Sequence, residues 1–282
     1  LTDIVLACCR DEADIIETFV LYYLEMGFDE VYIFDNGSVD GTGKILEELA
    51  TSGLPVFAER DPRLGYERFL TDYYLSAGRR AGARWVFFVD CDEFILFPGP
   101  AKNYLDALPS WVNCLRLRQK EMYPRLNEPS GQGEFLLSTR SQVGFNDTTK
   151  DVSRFDPKAK VHAGKHLISF SDRRAMCPDD IFIRHYKYRT LDQARRKELN
   201  RVQSHSSYSD EEIMRLSAFG LDRTRRWFET CRDELATEAW RSRFSLEMPA
   251  TEDLELAAWA AGFLERRGRR SVSRADSGSD RT

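Results

Sequence analysis

No stretch of the 282 residues approaches the roughly 18 consecutive apolar residues that would carry a helix across a bilayer. The first residues also lack the basic start and short apolar core of a secretory leader. These absences predict a cytoplasmic protein. The six cysteines (Cys8, Cys9, Cys91, Cys114, Cys177 and Cys231) include no Cys-x-x-Cys pair and no Cys/His group at zinc spacing, so reduced thiols without metal or redox chemistry are expected. Excess positive charge is missing too. A formal net charge of -5 gives no bulk attraction for nucleic acid and disfavours a polynucleotide substrate.

What is present is globular: 42% hydrophobic, 12% aromatic and 31% charged residues, in a chain long enough for one large α/β domain with an appended subdomain. The first hundred residues alternate short apolar runs with helical periodicity, the pattern of βα units feeding a mostly parallel sheet. Predicted strands are Ile4-Val5-Leu6-Ala7, Val31-Tyr32-Ile33-Phe34, Pro55-Val56-Phe57-Ala58 and Trp85-Val86-Phe87-Phe88-Val89. Between them lie helices capped by Asp11 and Asp40, ending at Gly27 and Gly53, and one from about Tyr66 to Ala81. Beyond Pro98 the pattern loosens. Cys114 to Leu117, Phe135 to Leu137 and Ile181-Phe182-Ile183 read as strands, and helices dominate from Leu191. The expected organisation is residues 1–97 as a nucleotide-binding half, 98–200 as an acceptor-side half, 201–270 as a helical extension and 271–282 as a disordered tail.

Four polar features follow the strands. They are Arg10-Asp11-Glu12-Ala13, Asp35-Asn36-Gly37-Ser38-Val39-Asp40-Gly41-Thr42, Asp90-Cys91-Asp92-Glu93, and Arg184-His185-Tyr186-Lys187. In open α/β sheets the carboxyl ends of strands are where ligands bind. An acid at such an end can accept hydrogen bonds from a base or ribose. Asp90 and Asp92, two positions apart, can share a hard divalent cation that in turn holds a diphosphate. Three acids within four positions repel one another unless a cation or positive ligand joins them. Among the four histidines His185 directly follows an apolar strand, and it is expected to complete the metal site opposite Asp92, with Arg184 and Lys187 beside the same phosphates.

The run from Arg10 through Asp92, with Asp-Glu-Ala-Asp-Ile-Ile-Glu, Asp-Asn-Gly-Ser-Val-Asp-Gly-Thr and Trp-Val-Phe-Phe-Val-Asp-Cys-Asp-Glu-Phe, resembles glycosyltransferase family 2 and its relatives. It is most similar to the bacterial family-2-like branch and family 92. A weaker resemblance covers Phe155 to Lys197, through Pro157-Lys158-Ala159-Lys160-Val161-His162 and His185-Tyr186. The resemblance implies a GT-A, Rossmann-like nucleotide-sugar-binding fold and transfer of a hexosyl group from a nucleotide sugar, most often a UDP-sugar. It further implies a Mn2+ or Mg2+ ion on Asp90, Asp92 and His185, and a donor site of Arg10, Glu12, Asp35, Asn36, Asp90 and Cys91. The acceptor hydroxyl would belong to a glycan, a lipid-linked molecule or a small molecule. Inversion calls for a carboxylate base on the acceptor side. No Glu-Asp pair marks it, and Glu121, Asp147, Asp151 and Asp180 are candidates, with Asp151 and Glu121 put forward.

Three other readings compete. An apolar strand ending in Asp-x-Asp also opens haloacid-dehalogenase-type phosphatases, but that motif normally continues with a Thr where this chain has Glu93-Phe94. A nucleotidyltransferase would carry a Gly-rich stretch near the start, and a non-catalytic scaffold would have no use for Asp90, Asp92 and His185 together. Finally, Leu256, Trp259, Ala260, Phe263 and Leu264 precede Arg266-Arg267-Gly268-Arg269-Arg270. Such a helix can rest on anionic membrane, although packing against its own domain is its commoner role.

Overall fold

The computed structural model describes residues 1–63, 66–122, 136, 140–142, 144–187, 189, 193, 196, 197, 200, 250–253 and 258–266. In chain order the elements are β1 (Thr2–Cys9), α1 (Ile16–Glu25), β2 (Glu30–Asp35), α2 (Thr42–Thr51), β3 (Val56–Arg60), α3 (Leu70–Ala81), β4 (Ala83–Phe88), β5 (Glu93–Ile95) and α4 (Ala101–Asp106). They continue with β6 (Cys114–Glu121), β7 (Arg140–Gln142), β8 (Thr149–Arg154), β9 (Lys160–Val161), β10 (Ile168–Ser169), β11 (Ala175–Met176), β12 (Ile183–His185) and β13 (Ala250–Glu252). The main sheet runs β3-β2-β1-β4-β8-β6-β12-β5, with β11 beside β6. Strands β3, β2, β1 and β4 are parallel, whereas β8 is antiparallel to both β4 and β6. The α/β class and the largely parallel sheet are as the sequence predicts.

Both faces of the parallel half are covered, which is why its strands read as unbroken apolar runs. Along β1, Val5, Ala7 and Cys9 join the core under α1 and α2, while Ile4, Leu6 and Cys8 join the core under α3. β4 alternates in the same way, with Trp85 and Phe87 on one side and Val86 and Phe88 on the other. Helix α1 buries Ile16, Phe19, Val20 and Tyr23, at the three- and four-residue spacing seen in the sequence, and ends at Gly27, whose φ of +93° favours glycine.

Several expectations change. Asp11 does not cap α1. Its φ is 55°, its Oδ1 accepts the N–H groups of Val39 (2.7 Å) and Asp40 (3.3 Å), and its own N–H donates to Ser38 Oγ (2.9 Å). It therefore ties two strand-end loops together, a job that outcompetes local capping. Asp40 does act at the start of α2, accepting the N–H of Thr42 at 2.8 Å. The helix expected from Tyr66 is a 3-10 turn, Tyr66–Phe69, followed by α3. The last strand of the site lies at Ile183–His185, two residues beyond its expected place, so His185 is within it. Strands β8 and β13 were not expected. Ala250–Glu252 follows Pro249 and contains a β-branched Thr, both of which oppose a helix, and it pairs with β7. Most of Phe135 to Leu137 and of the expected helical extension lies outside the described residues.

In the described C-terminal helix, residues 258–266, Ala260 and Phe263 are buried and Trp259 stacks edge-on against Tyr22 of α1 at 4.5 Å. Ala260, Trp259 and Phe263 thus pack against the domain's own core. No described helix is long and apolar enough to cross one.

Candidate functional site

The turn after β4 begins where Val89 donates to Leu6 O (3.0 Å) and closes with Glu93 N–H on Asp90 O (3.0 Å). Asp90 N–H also donates to Glu93 Oε2 at 2.8 Å. The repulsion expected among these acids is relieved by lysines from the second half of the chain. Lys150, from β8, donates to Asp90 Oδ2 at 2.6 Å and also pairs with Glu93, while Lys165 pairs with the other oxygen of Asp90. Gln119 holds the remaining Glu93 oxygen at 3.1 Å. Lys165 is buried at a φ of 60°, a left-handed conformation that side chains rarely adopt outside functional or tightly held positions.

Asp92 faces a second group. Tyr186 N–H donates to its carbonyl at 2.7 Å, which fastens the turn to the residue after β12. His185 Nε2 lies 3.5 Å from Asp92 Oδ2, and His185 Nδ1 bonds Glu121 Oε1 at 3.0 Å. Asn146 donates to the same Glu121 oxygen at 3.3 Å. Strand register explains the meeting: His185 pairs with Glu121 across parallel β6 and with Glu93 across antiparallel β5. Lys197 also pairs with Asp92 Oδ2. Above them Arg189 bridges Glu12 and Asp14 (2.7 Å to Asp14 Oδ2) and donates to Tyr186 O at 3.1 Å.

Burial would raise the carboxyl of Asp92, but Lys197 and His185 outweigh it and hold that group well below the usual carboxylate range. Lys150 and Lys165 likewise outweigh burial at Asp90. For His185, burial would favour the neutral ring, yet Glu121 and Asp92 push it up to about 10. With folded values depressed, the acids contribute stability above their unfolded pKa near 4, lost as pH falls through the lower folded values. The imidazolium contributes fully below about 6.5 and is lost as pH rises to about 10. Without added cation, unfolding midpoints should therefore fall on both sides of a mildly acidic plateau between about pH 4 and 6.5, and His185→Gln should flatten the alkaline limb. An unchanged alkaline limb in that variant would remove the imidazolium from this account.

Asp35 is buried, accepts Ser38 N–H at 2.8 Å, and borders an open groove of about 570 Å³ that Ser38, Asp40, Lys44, Glu59 and Arg60 also line. Other expected residues turn elsewhere. Asn36 directs its amide to Asp61 O (3.1 Å) and Tyr73 Oη (3.4 Å). Cys91 is buried with its thiol toward Cys8 O (3.7 Å), so its side chain is part of the core and not of a ligand surface. The Arg10 carbonyl accepts from Asn200 at 3.5 Å, and Glu12 is engaged by Arg189. Arg184 is buried and bonds Asp253 at 2.7 Å, away from His185, as alternation along a strand requires.

Asp151, put forward as a base, is enclosed by its own partners. It is fully buried, with its oxygens on Arg116 (3.0 Å), Arg173 (2.7 Å) and the N–H of Ile168 (3.2 Å). Asp180 bonds Tyr104 of α4 at 2.7 Å, and α4 starts against the carboxyl end of α1, at the opposite end of the strands from the site. Asp147 is exposed. Glu121 reaches the site, but as the carboxylate behind His185.

No family model matches this chain. A glycosyltransferase family 92 protein of Oryza sativa subsp. japonica is 31% identical over 91 residues, a match spanning 32% of this chain and 15% of that protein. Among solved structures, S. aureus TarS (residues 1–349) is 14% identical with a TM-score of 0.41, over 80% of this chain and 72% of that one. GalNAc-T7 with UDP, GalNAc and Mn2+ is 14% identical with a TM-score of 0.44, over 87% and 58%. Mannosyltransferase PcManGT from Pyrobaculum calidifontis, with GDP-Man and Mn2+, is 14% identical with a TM-score of 0.40, over 96% and 83%.

Proposed function

We propose that this chain is a GT-A-type glycosyltransferase that moves a sugar from a nucleotide-sugar donor, a UDP-sugar foremost, to an acceptor hydroxyl, with a divalent cation at Asp92 and His185. The observation that carries this reading is the convergence of Asp92 and His185 at the carboxyl ends of β4 and β12, 3.5 Å apart, with Glu121 on the far ring nitrogen. Two atoms each about 2.1 Å from one ion lie no more than about 4.2 Å apart, so the pair fits a shared cation. A carboxylate on the second nitrogen is the usual way a ligating imidazole is oriented. Among the described residues no three His, Cys, Asp or Glu side chains form a ready cage. That suits Mn2+ or Mg2+, which take one or two protein groups and fill the rest with phosphate and water. Asp90, with both oxygens on lysines, fits a metal less well than the sequence suggests and is assigned to donor positioning.

When bound, the cation neutralises charge on the departing diphosphate. The chain's own part is positional. Lys150 and Lys165 fix the Asp90 carboxylate, Glu121 fixes the His185 ring, and Arg189 fastens the Glu12 loop to the strand carrying His185. The test is a thermal-shift series with UDP, Mn2+ and both. The midpoint should rise with both together by more than the separate shifts combined, since a ligand at a hundred times its dissociation constant stabilises by about 2.7 kcal/mol. No synergy for any nucleoside diphosphate would sink the reading.

Asp35 lies beside the groove on the donor side, and because it is buried and holds Ser38, the informative change is Asp35→Asn, which keeps an acceptor for that N–H. Nucleotide affinity in Mn2+ should fall about tenfold, the worth of one charge-assisted hydrogen bond. Calorimetry returning the parent's affinity would take Asp35 out of the donor site.

A further inference from the structure

One oxygen of Asp92 has two suitors. Oδ2 faces His185 Nε2 at 3.5 Å and also carries the ammonium of Lys197. The three lysines of the site differ in their settings. Lys150 and Lys165 have side chains 2% exposed, whereas that of Lys197 is 29% exposed. Lys197 also sits on a different kind of element. Residues 193, 196, 197 and 200 are helical, and Gln193, Lys197 and Asn200 recur at four- and three-residue spacing. Gln193 accepts Arg189 N–H (3.1 Å), Arg189 reaches Glu12 and Asp14, and Asn200 donates to Asp11 Oδ2 (2.9 Å). Arg189, Lys197 and Asn200 thus meet the strand-end loops with polar side chains.

A divalent cation between Asp92 and His185 cannot share Oδ2 with an ammonium without like-charge repulsion in a site that is largely screened from water. Resting on the metal reading above, we propose that Lys197 holds the cation's place on Asp92 in the ligand-free protein and transfers to the donor's diphosphate when the cation enters. The Lys197 side chain is partly exposed where the other two are enclosed, and a diphosphate arriving with the cation would offer its ammonium a strong anionic partner. Lys150 and Lys165, enclosed and fixed on Asp90, stay where they are.

The exchange predicts opposite signs for two affinities, which a merely structural lysine would not produce. In calorimetry on the full chain, Lys197→Met should bind Mn2+ alone about tenfold more tightly, because its competitor is gone, and UDP in saturating Mn2+ about tenfold more weakly. Lys197→Arg should retain the parent's UDP affinity. If Lys197→Met fails to fold, Lys197→Gln carries the same two expectations. Unchanged or weaker binding of Mn2+ alone, or unchanged UDP affinity, would overturn the exchange. A parent protein with no cation-dependent UDP binding would overturn the metal reading itself, which keeps the two failures apart.

Discussion

Asp92→Asn is expected to remove the cation dependence of nucleotide binding and to lower sugar transfer by on the order of 10²–10³-fold, the scale on which loss of one charge-stabilising group acts. The substitution keeps size and shape while replacing an anionic carboxylate by a neutral amide, a weaker ligand for a divalent cation. It also deprives His185 and Lys197 of the carboxylate they share. Relief of that buried positive charge in the variant falls to Glu121 alone on the imidazole side. His185→Ala should cost less, because a carboxylate and the phosphates remain to hold the ion. The measurement pairs a Mn2+ titration of UDP binding with turnover, once an acceptor is found. Full Mn2+-dependent turnover by the Asn variant would make the assignment of Asp92 wrong.

Lys150→Met should be the most damaging single change to stability, at about 3–5 kcal/mol, the usual cost of removing one partner from a buried ion pair. Its ammonium joins Asp90 and Glu93, and both Lys150 and Glu93 have side chains 2% exposed, so no water can take over. Lys165 would still serve Asp90, leaving Glu93 with Gln119 as its side-chain donor. Adding Glu93→Gln to Lys150→Met should return a large part of the loss, since the stranded charge disappears with it. Denaturant titration of the single and double variants checks both statements. A double variant no more stable than the single one would place the cost elsewhere.

The parallel half of the fold and the four strand-end motifs were legible because each is written in a short window. An unbroken apolar run such as Trp85 to Val89 declares a doubly covered strand, and an acid after it declares a carboxyl end. His185 was legible for the same reason, as the histidine after an apolar run. The cations were not. Lys150, Lys165 and Lys197 lie 60, 75 and 105 positions from the acids they meet, and a lysine in a strand or on a helix reads as a solvated face. One signal was present: the repulsion among Asp90, Asp92 and Glu93 demanded a cation or positive ligand, and three ammonium groups of the chain itself answer part of that demand. Asp151 misled in the converse way. An acid near the acceptor half looked available, but neighbouring arginines from β6 and the turn after β10 had claimed it.

The transverse row formed by Glu93, His185 and Glu121 across β5, β12 and β6 has a consequence for how such a protein can diversify. Its spacing is set by backbone pairing and owes nothing to the length of chain between its members. The loops within the 64 positions separating Glu121 from His185, apart from β8 and the segments that carry Lys150 and Lys165, could lengthen, since doubling a flexible connection costs only about 0.6 kcal/mol in closure entropy. Slippage of β12 by one residue is another matter, for it would exchange His185 for Arg184 or Tyr186 on that face. Lineages descended from this architecture should therefore show abundant insertion and deletion in the connections and almost none within these three short strands, so that new acceptors are acquired by changing loops around an unaltered ruler.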